Sequence, residues 1–243
     1  MKKSLFILSI KNNATKSLMI VLVLFVHLEC MAQMNGYVYP ILPISGKTEQ
    51  SFVPKGWKIY KKVSCDFNSD SLLDFALVIQ KIDPIKVDSQ DYFPKILLIA
   101  FQNSNKTYTL NISTFKIFGE GNWGIGDDAF FDLGLRKTTL KIVFLTGGSE
   151  AVKEYYYFQF RSKEWLLTGY SDEMSGNQDP GVYVTDINFL TNKIESYTEI
   201  NGKKVIDKHA DSPDEILRMN NIKVEPHYLR DIDASAFINP FVG

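Results

Sequence analysis

The sequence is poor in the two side chains that most often bind metals or form covalent bonds. Cysteine occurs twice and histidine three times in 243 residues. Cys30 lies in an N-terminal segment that we expect to be removed, so Cys65 is left without a disulfide partner. We interpret Cys65 as a small apolar filler, since no neighbouring base marks it as a nucleophile. His209 and His227 do not form an HxH or HxxxH pair, so the sequence gives no histidine-based zinc motif.

The sequence also lacks a large net charge and a long apolar run. The formal charge of the whole chain is −1. Without residues 1 to 32 the chain keeps 23 basic and 27 acidic residues, a formal charge of −4. This balance argues against a nucleic-acid partner. After residue 32 no apolar run reaches the roughly 18 residues of a membrane-spanning helix, so we expect no transmembrane segment in the mature chain.

Residues 1 to 32 are typical of a secretory signal peptide. Lysines precede a nine-residue apolar run, Leu18 to Val26. This run is too short to span a bilayer comfortably. Small residues, Cys30 and Ala32, lie at positions −3 and −1 before Gln33, which predicts cleavage after Ala32. We therefore expect export to the periplasm or the medium. The alternative is an envelope lipoprotein acylated on Cys30, although Glu29 fits a lipobox poorly.

The most regular polar spacing in the chain lies at the start of an apolar strand. Asp66, Asn68, Asp70 and Asp74 occupy positions 1, 3, 5 and 9 of a loop, and the carbonyl group of Leu72 falls at position 7. Oxygen atoms at this spacing surround a hard cation, and calcium accepts such a flexible shell more readily than magnesium. The sequence therefore predicts one calcium site in this acidic loop.

Two positions separate the acidic loop from an EF-hand. Ser71 stands at position 6, where a left-handed backbone favours glycine, and Leu77 stands at position 12 in place of glutamate. The alternative to an ion site is a turn in which the Asp and Asn side chains bond to their own backbone before the strand begins.

The DxNxDxxxD pattern resembles the calcium loops of FG-GAP and VCBS-type repeat proteins, which build β-propellers from many copies. This chain has one copy, about 15 residues long. A wider resemblance runs through VPKGWKI, DFNSDSLLDFALVI, PKILLIAF, GDDAFFDL, TGGSEAVKEYYYFQFRSKEWLLTGY and INFLTNKI, over most of residues 52 to 207. In this order the segments resemble a family of uncharacterised exported bacterial proteins. The resemblance implies architecture and export, and it implies no activity.

Strand signals dominate from residue 57 onward. The segments have strand length, with alternating or continuous apolar residues and no helical period between them: 57–64, 74–80, 95–101, 108–113, 139–145, 155–160, 165–171, 184–190, 193–200 and 203–207. The two continuous runs, 74–80 and 95–101, should be central and covered on both faces. Asn201-Gly202 predicts a tight hairpin. We predict a mainly β protein, an antiparallel meander that forms a sandwich, an open barrel or a partial-propeller-like sheet.

The two ends of the mature chain differ from this meander. Residues 33–52 show little periodicity and are predicted to form an irregular arm before a single β-rich domain at 53–243. Ser212, Pro213 and Glu215 are typical of a helix start, so we predict a short helical tail from about residue 212. We expect this tail to cover a face or an edge of a sheet.

The loops between strands hold the remaining candidate site. Residues 81–94 are predicted to form a polar loop. Glycines in GEGNWGIGDD, 119–128, show GxGxxG spacing, but a strand-like segment follows where a dinucleotide site needs a helix. Trp123, Asp127 and Asp128 in this loop could form part of a ligand surface.

No catalytic constellation stands out, so we expect a non-enzymatic binding or structural module with an unknown protein or glycan ligand. The aromatic strand Tyr155–Phe160, with Trp165, could stack on a sugar or peptide, or could simply fill two sheet faces. The enzyme alternative is a secreted glycan- or peptide-directed hydrolase that uses a carboxylate pair. Its candidate acids are Asp127, Asp128, Asp132, Asp172 and Glu173.

Overall fold

The computed structural model describes residues 33–34, 37–87, 89–118, 129–147, 150–176, 181–205 and 228–231. Most of these residues lie in strands, and none lies in an α-helix. The chain divides between Ile41 and Leu42 into two compact units. In the first unit, β1 (Gln33–Met34) pairs with β2 (Tyr37–Val38) in an antiparallel arrangement.

The second unit contains the other strands and three short 3-10 turns. The turns are Glu49–Phe52, Lys116–Phe118 and Leu229–Asp231. The strands are, in chain order, β3 (Ser45–Gly46), β4 (Trp57–Cys65), β5 (Asp74–Lys81), β6 (Ile85–Val87), β7 (Gln90–Tyr92), β8 (Lys95–Gln102), β9 (Tyr108–Thr114), β10 (Phe130–Arg136), β11 (Thr139–Gly147), β12 (Glu150–Arg161), β13 (Glu164–Gly176), β14 (Val182–Asn188), β15 (Lys193–Ile200) and β16 (Lys203–Val205).

Two antiparallel sheets form the body of this unit. The five-stranded sheet has the order β3-β9-β8-β5-β4, and the seven-stranded sheet runs in sequence order from β10 to β16. Both sheets are open, because each strand order ends in two different edge strands. The prediction of a mainly β protein with antiparallel sheets is therefore confirmed, and the described strands do not close into a barrel.

The core lies between the two sheets. Apolar side chains from the five-stranded sheet and from the first four strands of the seven-stranded sheet form one buried cluster, which includes Ala76, Val78, Leu97, Ile99, Leu133, Leu140, Ile142, Phe158, Trp165 and Leu167. Aromatic rings cross between the sheets. The ring centroids of Phe101 and Phe160 lie 4.8 Å apart, and those of Phe67 and Trp165 lie 5.2 Å apart.

Strands β5 and β8 are central and buried on both faces, as their continuous apolar runs predict. Alternate residues of β5 point into the core between the sheets, and Phe75, Leu77 and Ile79 point to the opposite face. Phe52, from the segment before β4, covers that face, and its ring centroid lies 5.7 Å from that of Phe75. Residues 42–52 therefore belong to the same unit as the sheets, although sequence alone predicted an irregular arm there.

Two-residue turns close two hairpins of the seven-stranded sheet. Ser162 and Lys163 join β12 to β13, and Asn201 and Gly202 join β15 to β16; all four residues have positive φ. Positive φ at both central residues is the type I′ geometry, which follows the twist of the paired strands. The Asn-Gly hairpin is confirmed at its predicted place.

One prediction of segment type is corrected by the structure, and a second lies mostly outside the described residues. Residues 81–94 are not a plain loop, because β6 and β7 pair within them as a short hairpin. Its strands are three residues long, too short to show a clear alternation in a polar segment. The helical tail predicted from residue 212 falls mostly outside the described residues. Within them, Leu229 is fully buried in the core. No helix among the described residues is long and apolar enough to cross a membrane.

Candidate functional site

The acidic loop between β4 and β5 is held by hydrogen bonds from its own backbone. The carboxylate of Asp66 accepts the backbone N–H groups of Asp70 at 3.1 Å and Ser71 at 2.9 Å. Asn68 Oδ1 also accepts the N–H of Asp70, and Asp70 Oδ1 accepts that of Leu72. Ser71 has a φ of 69°, so position 6 does adopt the left-handed backbone that usually favours glycine. The side chains thus form the Asx turn of the alternative interpretation.

Asp74, the fourth predicted ligand, is fully buried at the start of β5. Its two carboxylate oxygens accept the backbone N–H groups of Phe67 and Gln102, each at 2.9 Å. Burial raises the pKa of this carboxyl, and these two hydrogen bonds partly oppose the rise. Asp74 therefore ties the acidic loop to the end of β8.

Among the described residues, no group of three or more His, Cys, Asp or Glu side chains is arranged to hold a metal ion. The structure brings Asp66, Asn68 and Asp70 together in one exposed loop, with both oxygens of Asp66 already accepting backbone N–H groups. Calcium binding there stays a prediction. The second predicted site cannot be placed, because Trp123, Asp127 and Asp128 lie outside the described residues.

A groove lies on the outer face of the seven-stranded sheet. Its volume is about 500 Å³. Tyr156 and Phe158 of β12 point into the core, so alternation places Tyr155, Tyr157 and Gln159 on the outer face. The groove crosses β12, β13 and β14, and the ends of β10 and β15 border it.

The floor of the groove is open because one strand carries a glycine there. Gly169 of β13 lies opposite Tyr157 of β12 on one side and Asn188 of β14 on the other. A Cβ atom at Gly169 would lie 3.2 Å from the carbonyl oxygen of Ile187 and 3.5 Å from the Tyr157 ring. Any larger side chain would fill the space beside the ring, so this glycine keeps the groove accessible.

The ring of Tyr157 forms one wall, and the ring of Tyr155 stacks beside it on the same strand. The ring centroids of Tyr155 and Tyr157 lie 6.5 Å apart with an interplanar angle of 13°. A cation lies over each ring: Lys141 Nζ is 5.5 Å from the centroid of Tyr155, and Arg136 Cζ is 5.7 Å from that of Tyr157. The hydroxyl of Tyr155 donates to Glu173 Oε2 at 2.7 Å. These contacts fix the direction of both rings on the sheet.

The opposite wall comes from β14 and β15. Asp186 and Glu195 are direct cross-strand partners. Asp186 Oδ2 accepts the hydroxyl of Tyr197 at 3.2 Å, and burial together with this carboxylate raises the pKa of Tyr197 to about 12. Glu195 Oε2 pairs with Lys204 Nζ at 2.7 Å, and this hydrogen bond lowers the pKa of the Glu195 carboxyl. Both carboxylates are therefore held in place by neighbours on the same face.

The hairpin turn after β14 supplies an amide group at the end of this wall. Asn188 Oδ1 accepts the backbone N–H groups of Leu190 and Thr191, at 3.0 and 3.1 Å. This Asx turn fixes the side chain of Asn188, so the direction of its amide nitrogen is set by the turn. Asn188, Leu190 and Thr191 all line the groove.

The predicted acids within the described residues, Asp132, Asp172 and Glu173, each have a different partner. Asp132 pairs with Lys61 at 2.8 Å, between the edge strands of the two sheets. Asp172 lies directly opposite Glu154 on β12 and β13, and burial raises the pKa of both carboxyl groups. Tyr170 donates its hydroxyl to Glu154 Oε1 at 2.9 Å, and the N–H of Thr185 donates to Asp172 Oδ1 at 3.2 Å.

Trp165, proposed from sequence as a stacking ring, belongs to the core. Its side chain is 2% exposed, and its indole N–H donates to Asn111 Oδ1 at 2.8 Å. The sequence marked Tyr155–Phe160 as an aromatic strand, and the structure shows which of its tyrosines face outward. Sequence analysis missed Arg136, Gly169, Asp186 and Lys193, because only the register of the successive strands β10 to β15 brings these residues to one groove.

Comparison of the chain with protein-family models, curated proteins and solved structures gave no match. The resemblances to FG-GAP and VCBS loops and to an exported bacterial family therefore stay expectations from the sequence. The arguments on function rest on the groove and on the chemistry of the residues that line it.

Proposed function

We propose that this protein is an exported, non-enzymatic module that binds a glycan in the groove of the seven-stranded sheet. The observation that carries the proposal is the groove itself: a space of about 500 Å³ over Gly169, with the Tyr157 ring on one side and Asp186 and Asn188 on the other. Concave sites that combine an apolar ring with a few fixed polar groups are the usual form of small-ligand sites.

The chemistry of the groove supports a glycan more than an apolar ligand. A sugar has hydroxyl groups that both donate and accept hydrogen bonds, and C–H groups that pack on a ring. Asp186 supplies acceptors, Asn188 and Lys193 supply donors, and Tyr157 supplies the ring. The contacts that hold Asp186, Asn188 and Tyr157 in place reduce the conformational entropy lost when a ligand binds.

The pKa shifts of the carboxyl groups in and near the groove support binding without catalysis. A glycosidase needs one carboxylic acid with a raised pKa close to a second carboxylate. In the groove, Lys204 lowers the pKa of Glu195, which keeps this group ionised and unsuited to act as the acid. Glu154 and Asp172 do have raised pKa values, but they lie on the face of the sheet opposite to the groove.

Export is the part of the proposal that rests on sequence alone. The signal-like segment 1–32 supports it, and a lipoprotein acylated on Cys30 is the alternative. Mass spectrometry of the mature N-terminus separates the two. A chain that starts at Gln33 supports cleavage after Ala32, and a lipid-modified Cys30 would replace that proposal with envelope anchoring.

The glycan proposal is tested by affinity electrophoresis of the purified protein in gels that contain single polysaccharides, neutral and acidic. We expect retardation by at least one of them, and we expect Tyr157→Ala to abolish it. Tyr183→Ala is the matched control, because Tyr183 is exposed on the other face of the same sheet. Isothermal titration calorimetry with an oligosaccharide of the retarding polymer then gives the affinity.

Two results would overturn the proposal. Unchanged mobility in every gel would remove the glycan ligand. Release of reducing ends from a bound polysaccharide, lost in Glu154→Gln or Asp172→Asn, would replace it with the hydrolase alternative.

A further inference from the structure

We infer that the glycan bound by this groove is acidic, a chain of sugars that carries repeated carboxylate groups as in uronic acids. The inference rests on the proposed function and specifies the ligand class of the same site. It is supported by the excess of positive charge in the groove and by the positions of these charges.

The unneutralised charge of the groove is positive. Three cations line it, Arg136, Lys137 and Lys193, and two carboxylates line it, Asp186 and Glu195. Lys204 neutralises Glu195 through an ion pair of 2.7 Å. Among the described residues, no carboxylate forms an ion pair with any of the three lining cations. The groove is thus cationic in a chain whose formal net charge is −1.

Arg136 is oriented by the Tyr157 ring, and no carboxylate of the described residues forms an ion pair with it. It extends from β10 across β11, and its guanidinium lies over the Tyr157 ring on β12 at 5.7 Å. A cation–π contact and a hydrogen bond to the Tyr157 hydroxyl hold the planar guanidinium, and this one bond leaves most of its five N–H groups able to donate. A guanidinium held in this way matches a carboxylate in a bidentate pair, which a sugar hydroxyl cannot form.

The second cation lies at the other end of the groove. Lys193 begins β15, three strands beyond the Tyr157 ring that Arg136 covers. Three interstrand spacings are roughly 14 Å. Two positive ends at this separation fit a ligand with a charge on more than one sugar unit better than a single charged monosaccharide. Asn188 lies between these two ends and faces the uncharged part of the sugar chain.

The test compares each acidic polysaccharide with its own neutral form. Polygalacturonate, alginate and hyaluronate are each used as prepared and after chemical reduction of their carboxyl groups to alcohols. We expect the purified protein to bind at least one acidic polymer about tenfold more tightly than its reduced form. We also expect the affinity for that polymer to fall as salt rises, because salt screens exposed charges.

Variants that remove one positive charge show whether the preference for the acidic polymer comes from the groove. Arg136→Gln and Lys193→Gln are each expected to reduce the preference for the acidic form over the reduced form about tenfold, because each removes a positive charge that only the acidic form can pair with. Lys203→Gln is the matched control, since Lys203 is an exposed lysine on β16 outside the groove. Circular dichroism checks that all three variants keep the strand content of the parent protein.

The outcomes separate this inference from the proposed function. Binding of reduced or neutral polymers equal to or tighter than binding of the acidic ones overturns the inference and leaves glycan binding intact. Failure to bind any polymer, acidic or neutral, overturns both. An acidic preference that Lys203→Gln removes as strongly as Arg136→Gln would also overturn the inference, because the charge effect would then not belong to the groove.

Discussion

Asp74 shows how one buried side chain links two parts of the fold. Its oxygens accept one backbone N–H from the acidic loop and one from the end of β8, and its surface is fully covered. Burying a carboxylate raises its pKa, yet without it two amide groups in a covered site would lose their acceptor. At the scale of the residue, Asp74 is therefore a structural acid.

Asp74→Ala is expected to lower the free energy of unfolding by about 2–4 kcal/mol, since both backbone N–H groups lose their hydrogen bonds. Chemical denaturation followed by circular dichroism measures the change. Asp83→Ala is the control, because Asp83 is exposed in the turn after β5, and its effect should stay within about 0.5 kcal/mol. Equal stability of the two variants would contradict the linking role of Asp74.

At the scale of the element, the acidic loop has two interpretations, a calcium site and an Asx turn without an ion. The Asx turn forms through hydrogen bonds within the loop, and the same oxygens are the predicted calcium ligands. The two interpretations differ in what calcium does to stability, because an ion that binds only the folded state shifts the folding equilibrium.

If the acidic loop binds calcium, we expect the protein to have a higher melting temperature in calcium than in chelator. At a hundredfold excess over Kd, the free energy of unfolding rises by about 2.7 kcal/mol. Asp66→Ala and Asp70→Ala should abolish the rise, while Asp91→Ala, on the exposed β6–β7 hairpin, should keep it. If the melting temperature is the same with calcium and with chelator, the loop is a turn only.

The hairpin of β12 and β13 carries a second element-scale feature, the facing carboxyl groups of Glu154 and Asp172. Burial raises the pKa of both in the folded protein. The folded state therefore binds protons more readily than the unfolded chain. The stability from these two groups is present below their unfolded pKa values, about 4, and is lost as pH rises through their folded pKa values.

Glu154→Gln is expected to reduce the loss of stability on going from pH 4 to pH 7. Each unit by which the folded pKa of Glu154 is raised corresponds to about 1.4 kcal/mol of this pH dependence. Melting temperatures measured across the range give the comparison, and Glu199→Gln, an exposed change on β15, should keep the slope of the parent protein. A Glu154→Gln slope identical to that of the parent would contradict the argument.

At the scale of the whole second unit, one core serves both sheets. Phe158 of the seven-stranded sheet and Val78 of the five-stranded sheet belong to the same buried cluster. The pair of Lys61 and Asp132 joins the adjacent edge strands, but a half-exposed ion pair contributes at most about 1 kcal/mol. The shared apolar core is thus the main connection between the sheets, and they should unfold together.

Phe158→Ala is expected to lower the free energy of unfolding by about 3–5 kcal/mol, because it leaves a cavity in the fully buried core. Phe131→Ala, which removes a half-exposed ring, should change it by less than about 1 kcal/mol. Tryptophan fluorescence and far-ultraviolet circular dichroism should report one coincident transition for the parent protein. Two separate transitions would show that the sheets fold independently.

Local sequence determined the strands of this protein because their signals lie within a few residues. The continuous runs at 74–80 and 95–101 predict buried central strands, and Asn201-Gly202 predicts a turn with positive φ. Alternation along β12 placed Tyr155 and Tyr157 on one face and Phe158 on the other. Each of these features depends on side-chain period or turn geometry, which a short window contains.

Tertiary structure alone decided where the groove lies and what it carries. Gly169, Asp186 and Lys193 come from three strands, and none of them shows in its own segment that it will face Tyr157. Register sets these neighbours, and register depends on the pairing of the whole sheet. In the same way, the burial of Trp165 depends on the packing of the second sheet, since a strand sequence does not say which face another layer will cover.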